Sequence, residues 1–363
     1  MPNGFEPGDD AGEVVVPDAD VAATGEEDSR TLYGLAMQAI NDYIQIYLAL
    51  TQQTKAFTDV QLDHVQSFDQ KLVILAGIGS PLDPAVVSAA DAVNEWQRVR
   101  AIAFDAESAI TPGVYIQLRG RVEGLLAGLE RATEGFTQFD PAYISRHPYM
   151  LPILQRVAGI TSKAELKRQI GSVSDNAVSG KAAEKLSAIL NRRQLGRAIN
   201  RAQILQSVEP TLEGIVRDLV GRVLLESIVA KALDDAHVPY KRESQYSRLQ
   251  GVVYDFRADF VIPDDVSPQV FIEVRKSSSR HASLYAKDKM FSAINWKGRN
   301  KNLLAVLIAE GPWTAQTKLA MSKVFDYVMP LNLAPTVVAD IAAYINGDRT
   351  KLRWLIDFTI NNA

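Results

Sequence analysis

The sequence predicts a mixed α+β protein: a large helical first half, then a smaller core in the order helix, strand, strand, strand, helix, strand. Three observations predict it. From Thr31 to about Asp140, apolar residues recur at three- and four-residue spacing, the period of helices with one buried face. Residues 252–262 (VVYDFRADFVI) and 269–275 (QVFIEVR) alternate with the period of strands. Residues 302–310 (NLLAVLIAE) form an apolar run between turns, the pattern of a buried strand.

Residues 1–30 hold nine acids against Arg30. They carry −8 of a net charge of −4, so the other 333 residues carry +4. This tail is rich in Gly, Pro, Asp and Ala, and its composition predicts an acidic disordered leader. Residues 31–205 read as a helical domain, a scaffold or DNA-recognition region, with breaks at Pro81, Pro84 and Pro112. Within it, residues 160–201 carry nine bases and three acids on short segments separated by Gly and Ser. Arg192, Arg193, Arg197 and Arg201 there are candidates for contacts to a nucleic-acid backbone, although a solvated helix face explains any one of them equally well.

Residues 206–330 read as the α/β core. A long helix over 209–238 starts with Pro210 and Thr211 in its first turn, and a weak strand follows around 240–249. The two clear strands come next, then an amphipathic helix through 282–299, then the 302–310 strand. On that helix Leu284, Phe291 and Ile294 are expected to pack inward, with Lys287 and Asn295 outward; Trp296 is expected in the core. Residues 331–363 read as closing helices.

With 47% apolar and 23% charged residues, the chain has the balance of a soluble globular protein. No apolar run approaches the ~20 residues of a membrane span. No basic start leads into an apolar stretch, so no secretory signal is expected. Zero cysteines exclude disulfides and thiolate zinc sites, and a cytoplasmic location is the expectation. There is no Gly-rich phosphate loop followed by Lys-Ser or Lys-Thr, no metal-spaced histidine pair and no Ser elbow.

The chemistry concentrates in the two strands. Phe256, Ala258, Phe260 and Ile262 share one face, with Ile272 and Val274 on the corresponding face of the next strand; Asp255, Arg257, Asp259, Glu273 and Arg275 take the other. A symmetric antiparallel connection centred on Val266 places Asp259 directly opposite Glu273. Two opposed carboxylates call for a cation, and Mg²⁺, a hard ion with oxygen ligands, is the natural one. Glu226, on the apolar stripe of Ile215, Leu219, Val223 and Leu233, is a possible third metal ligand, with a structural ion-pair partner the commoner role for such an acid. After Glu273 the chain turns basic, with eight bases against two acids over 271–301. Ser277, Ser278, Ser279, Arg280, His281 and Lys287 are candidate DNA contacts.

This order of elements, with Asp259 in one strand and Glu273-Val274-Arg275 in the next, resembles the PD-(D/E)XK nuclease superfamily. Residues 277–299 resemble more particularly the XamI-type group of type II restriction endonucleases. The resemblance covers residues 210–310 and implies a restriction-endonuclease-like αβββαβ core. It also implies Mg²⁺-dependent, sequence-specific hydrolysis of double-stranded DNA, usually by a homodimer. The family's motif Lys is replaced by Arg275, which cannot act as a base. Its role falls to Arg275 acting electrostatically, to Lys276 through strand distortion, or to Lys287 from the helix. Two other functions remain open: a nuclease-fold DNA-binding protein without catalysis, and a helical interaction module.

Overall fold

The computed structural model describes residues 30–100, 103–194, 200–277 and 282–357. Residues 1–29 of the acidic leader, Arg197, Ser278, Ser279, Arg280 and His281 lie outside them, as does the side chain of Arg193.

Among the described residues of the first half there are eight α-helices: α1 (Leu32–Gln53), α2 (Phe68–Gly77), α3 (Ala89–Val99), α4 (Ala106–Ala132), α5 (Pro141–Arg146), α6 (Leu151–Val157), α7 (Lys163–Ile170) and α8 (Gly180–Gln194). Their starts are written locally. Thr31, Asp105, Asp140 and Ser162 each accept a backbone N–H of the first turn, and Ser67 and Ser88 close capping boxes with Gln70 and Asp91. The long helices α1 and α4 cross at Gly113, where an added Cβ would stand 2.0 Å from the Tyr43 ring. The Tyr43 hydroxyl leaves that crossing to donate to Asp69 at 2.6 Å.

Helix α9 (Arg201–Asp235) corrects one expectation. It begins at Asn200, whose side chain accepts the Ala202 N–H, and it carries Pro210 in its interior. A proline inside a helix loses its own hydrogen bond and crowds the carbonyl one turn back, at a cost of ~3 kcal/mol or more. Here Leu205, Val208 and Leu212 are buried on both sides of it, so packing carries the helix through. Helix α9 packs on α1, α4 and α6, which joins the two halves across residue 205.

The sheet follows in five strands: β1 (Lys241–Arg242), β2 (Phe260–Ile262), β3 (Val270–Lys276), β4 (Leu304–Glu310) and β5 (Tyr327–Met329), paired in that order. Strands β1, β2 and β3 are antiparallel neighbours, whereas β3, β4 and β5 run parallel. Helix α10 (Ala282–Arg299) connects β3 to β4, α11 (Ala315–Met321) connects β4 to β5, and α12 (Ala334–Ile345) packs back on α9. The expected strand over 252–262 is shorter: residues 252–259 form an irregular segment that carries the Leu249–Phe256 bridge but no strand. Among the described residues beyond α12 there is one short turn of 3₁₀ helix (Arg349–Lys351), so the expected closing helices reduce there to α12.

Both faces of the sheet are covered. Phe260, Ile262, Val270, Ile272, Val274, Leu304, Val306 and Ile308 join the core of the helical half, while Val261, Phe271, Ala305, Leu307 and Ala309 join a second core beneath α10. The expectation of one charged strand face therefore fails in the middle of the sheet, because α10 covers it. Helix α10 is also rotated from its expected orientation. Ala286, Lys289, Ala293 and Trp296 face inward, while Leu284 (62% exposed) and Phe291 (45%) face out. Asn295 is buried, its side chain bonding the backbone of Val253 and Tyr254. The alanines let the helix lie close to the sheet. No helix among the described residues is long and apolar enough to cross a membrane.

Candidate active site

The pairing of β2 with β3 decides the site. Phe260 faces Ile272, Val261 faces Phe271 and Ile262 faces Val270, the register expected from a turn centred on Val266. Asp259, one residue before β2, consequently stands beside Glu273, and its Oδ2 accepts the Val274 N–H at 2.6 Å. The side chain thus takes the bond that a longer β2 would have offered β3.

Both carboxylates are withdrawn from water, Glu273 completely and Asp259 to 4% exposure. Three cationic or donor groups converge on them. Arg275 Nη1 lies 3.0 and 3.2 Å from the two Asp259 oxygens and donates to the Val274 carbonyl at 2.7 Å. Its Nη2 lies 3.1 Å from Glu273 Oε2. From below, Lys289 of α10 brings its Nζ to 3.1 Å from the same Oε2. Glu273 Oε2 is held by charge without a well-aligned hydrogen bond, and among the described residues Oε1 has no partner. A buried carboxylate oxygen in that condition is costly. Burial and the neighbouring Asp259 charge push the Glu273 carboxyl up to about 7, against the pull of Lys289 and Arg275.

Glu226 approaches from α9, half-buried. Burial first, then the Asp259 charge, raise its carboxyl to about 7, with Arg242 and Arg275 opposing. On Arg275, burial works against the charged form, yet Glu273 and Asp259 together hold its guanidinium above the ordinary value. The site is thus three acids and two cations at the end of β3. Among the described residues, however, no three acidic or histidine side chains are grouped closely enough to hold one metal ion, so Glu226 does not complete a three-carboxylate set.

The remaining candidates separate from this centre. Lys276 turns away and pairs with Glu107 of α4, which corrects its place among the catalytic candidates. Lys287 is exposed on the outer side of α10, on the opposite face from Lys289. Ser277 is buried, its N–H donating to the Glu310 carbonyl, so it is not an exposed phosphate contact. Arg201 pairs with Glu130, and Arg192 is exposed on α8, apart from the carboxylates in sequence and element. Lys289 was not among the residues singled out from the sequence. Its signal was there: Ala286, Lys289, Ala293 and Trp296 form one helical stripe, a lysine among small and aromatic core residues.

Compared with protein-family models, characterised proteins and solved structures, the chain matches none of them.

Proposed function

We propose that the chain is a Mg²⁺-dependent endonuclease of the PD-(D/E)XK type, a type II restriction endonuclease hydrolysing phosphodiester bonds of double-stranded DNA as a homodimer. The observation that carries this reading is the buried pair Asp259 and Glu273, side by side where the chain enters β2 beside β3, with Lys289 at 3.1 Å and one carboxylate oxygen without a partner among the described residues. The element order, with β1 to β3 antiparallel and α10 leading to a parallel β4, supports it.

The oxygens of Asp259 and Glu273 and the Val274 carbonyl form a donor set that suits a hard divalent cation. When bound there, the cation supplies an acidified water and polarises the scissile phosphate. The chain's own residues do the rest. Lys289, fixed by Glu273, holds an ammonium beside the site and fills the role the motif gives to its Lys; it steadies charge developing on the phosphate. Glu226 lies near the Asp259 charge with its carboxyl raised to about 7, so it can exchange a proton near neutral pH.

A second reading, DNA binding by a nuclease fold without cleavage, is favoured by Arg275, whose guanidinium already pairs with both carboxylates. Incubation of the purified protein with unmethylated phage DNA, in Mg²⁺ or in EDTA, beside Glu273→Ala, separates the two. Discrete fragments that require both Mg²⁺ and Glu273 support the endonuclease. Salt-sensitive DNA binding with intact DNA under every condition supports the second reading.

A further inference from the structure

Arg275 occupies the position that the proposed cation would need. One guanidinium nitrogen touches both oxygens of Asp259 and the Val274 carbonyl at 2.7–3.2 Å, and the other touches Glu273 at 3.1 Å. A single planar group thus engages the three oxygen sources that suit a divalent ion. The Asp259 and Glu273 side chains are 4% and 0% exposed, whereas that of Arg275 is 31% exposed. The carboxylates are fixed from behind, by the Val274 N–H on Asp259 and by Lys289 on Glu273. Of the three groups, the guanidinium is therefore the one with a route to solvent.

We propose that Arg275 is a latch on the metal site: its guanidinium is the resident counter-ion of the metal-free protein and must swing out before a divalent cation enters. This rests on the nuclease reading and deepens it. Cation and guanidinium compete for the same oxygens, so metal binding carries the loss of several charge-assisted hydrogen bonds. Once displaced, the guanidinium reaches solvent at the mouth of the site, where a backbone phosphate of nucleic acid is its natural bidentate partner. Metal and DNA then favour each other's binding, since each takes one partner of the Arg275–carboxylate pair.

The test is direct binding of Mn²⁺, followed by the loss of its free-ion electron paramagnetic resonance signal, with the full chain and no nucleic acid. Arg275→Ala and Arg275→Gln are compared with the wild type and with Glu273→Gln; the glutamine variant keeps an amide donor for Asp259 should the alanine variant fold poorly. The latch predicts binding at least about tenfold tighter in the Arg275 variants than in the wild type, and lost in Glu273→Gln. Equal or weaker binding in the Arg275 variants, with the wild type still depending on Glu273, overturns the latch and leaves the metal site standing. No Mn²⁺ bound by the wild type or by either Arg275 variant overturns both.

Discussion

Glu273 offers the sharpest physical test, because its ionisation is coupled to folding. Its carboxyl sits at about 7 in the folded chain against an ordinary 4.5, raised first by burial and then by Asp259. A carboxyl raised on folding contributes stability that is fully present below the ordinary value and is lost as the pH rises through the folded value. The interval from 4.5 to about 7 corresponds to ~3.5 kcal/mol at ~1.4 kcal/mol per pH unit. At ~2 °C per kcal/mol for a chain of this size, that is roughly 7 °C in midpoint. The assay is thermal unfolding in EDTA at about pH 5 and about pH 8, for the wild type and Glu273→Gln. Other groups titrate in both proteins, so the difference between their pH responses isolates Glu273. The wild type should lose ~2–3 kcal/mol more than the variant over that interval. Added Mg²⁺ should recover stability in the wild type at the higher pH, where the carboxylate is ionised, and should do less at the lower pH. Parallel pH responses of the two proteins would refute the assignment of a strained, buried carboxyl at this position.

Lys289→Met should leave the secondary structure by circular dichroism intact and lower the cleavage rate by ~10²–10³, since it removes a fixed cation from a site poor in water. Cleavage retained within about threefold would return the motif lysine's role to another residue. Lys276→Ala should change the cleavage rate by less than about threefold, because that ammonium is committed to Glu107 on α4. Asp326→Ala should destabilise the fold by ~3–5 kcal/mol in urea unfolding, since it strands Lys297, a fully buried partner at 2.5 Å. The same carboxylate accepts the N–H groups of Ala305, Arg353 and Trp354. Gly113→Ala should cost ~1–3 kcal/mol by the same measurement, because its Cβ would fall inside the Tyr43 ring at the crossing of α1 and α4. An unchanged urea midpoint in either variant counts against the packing described.

Much of the local structure could be read from residues in order. Helices in the first half follow from apolar spacing and from Ser, Thr and Asp caps, which act within a single turn. The opposition of Asp259 and Glu273 was equally local: a symmetric connection fixes antiparallel register, and register fixes which side chains face each other. Where neighbours distant in sequence had to choose, the sequence by itself was ambiguous. Helix α10 carries two apolar stripes, and the one through Ala286 and Trp296 faces the core because small residues permit close approach to β4. That choice of rotation, made by the sheet, puts Lys289 under Glu273 and leaves Lys287 outside. Pro210 stays helical because α9 is held on both sides of it by the bundle. Composition and spacing thus determined the helices, the strand register and the pair of acids. Tertiary packing alone decided which lysine joins them and that Arg275 folds back over both, since a side chain's partner depends on the helix or strand placed opposite it.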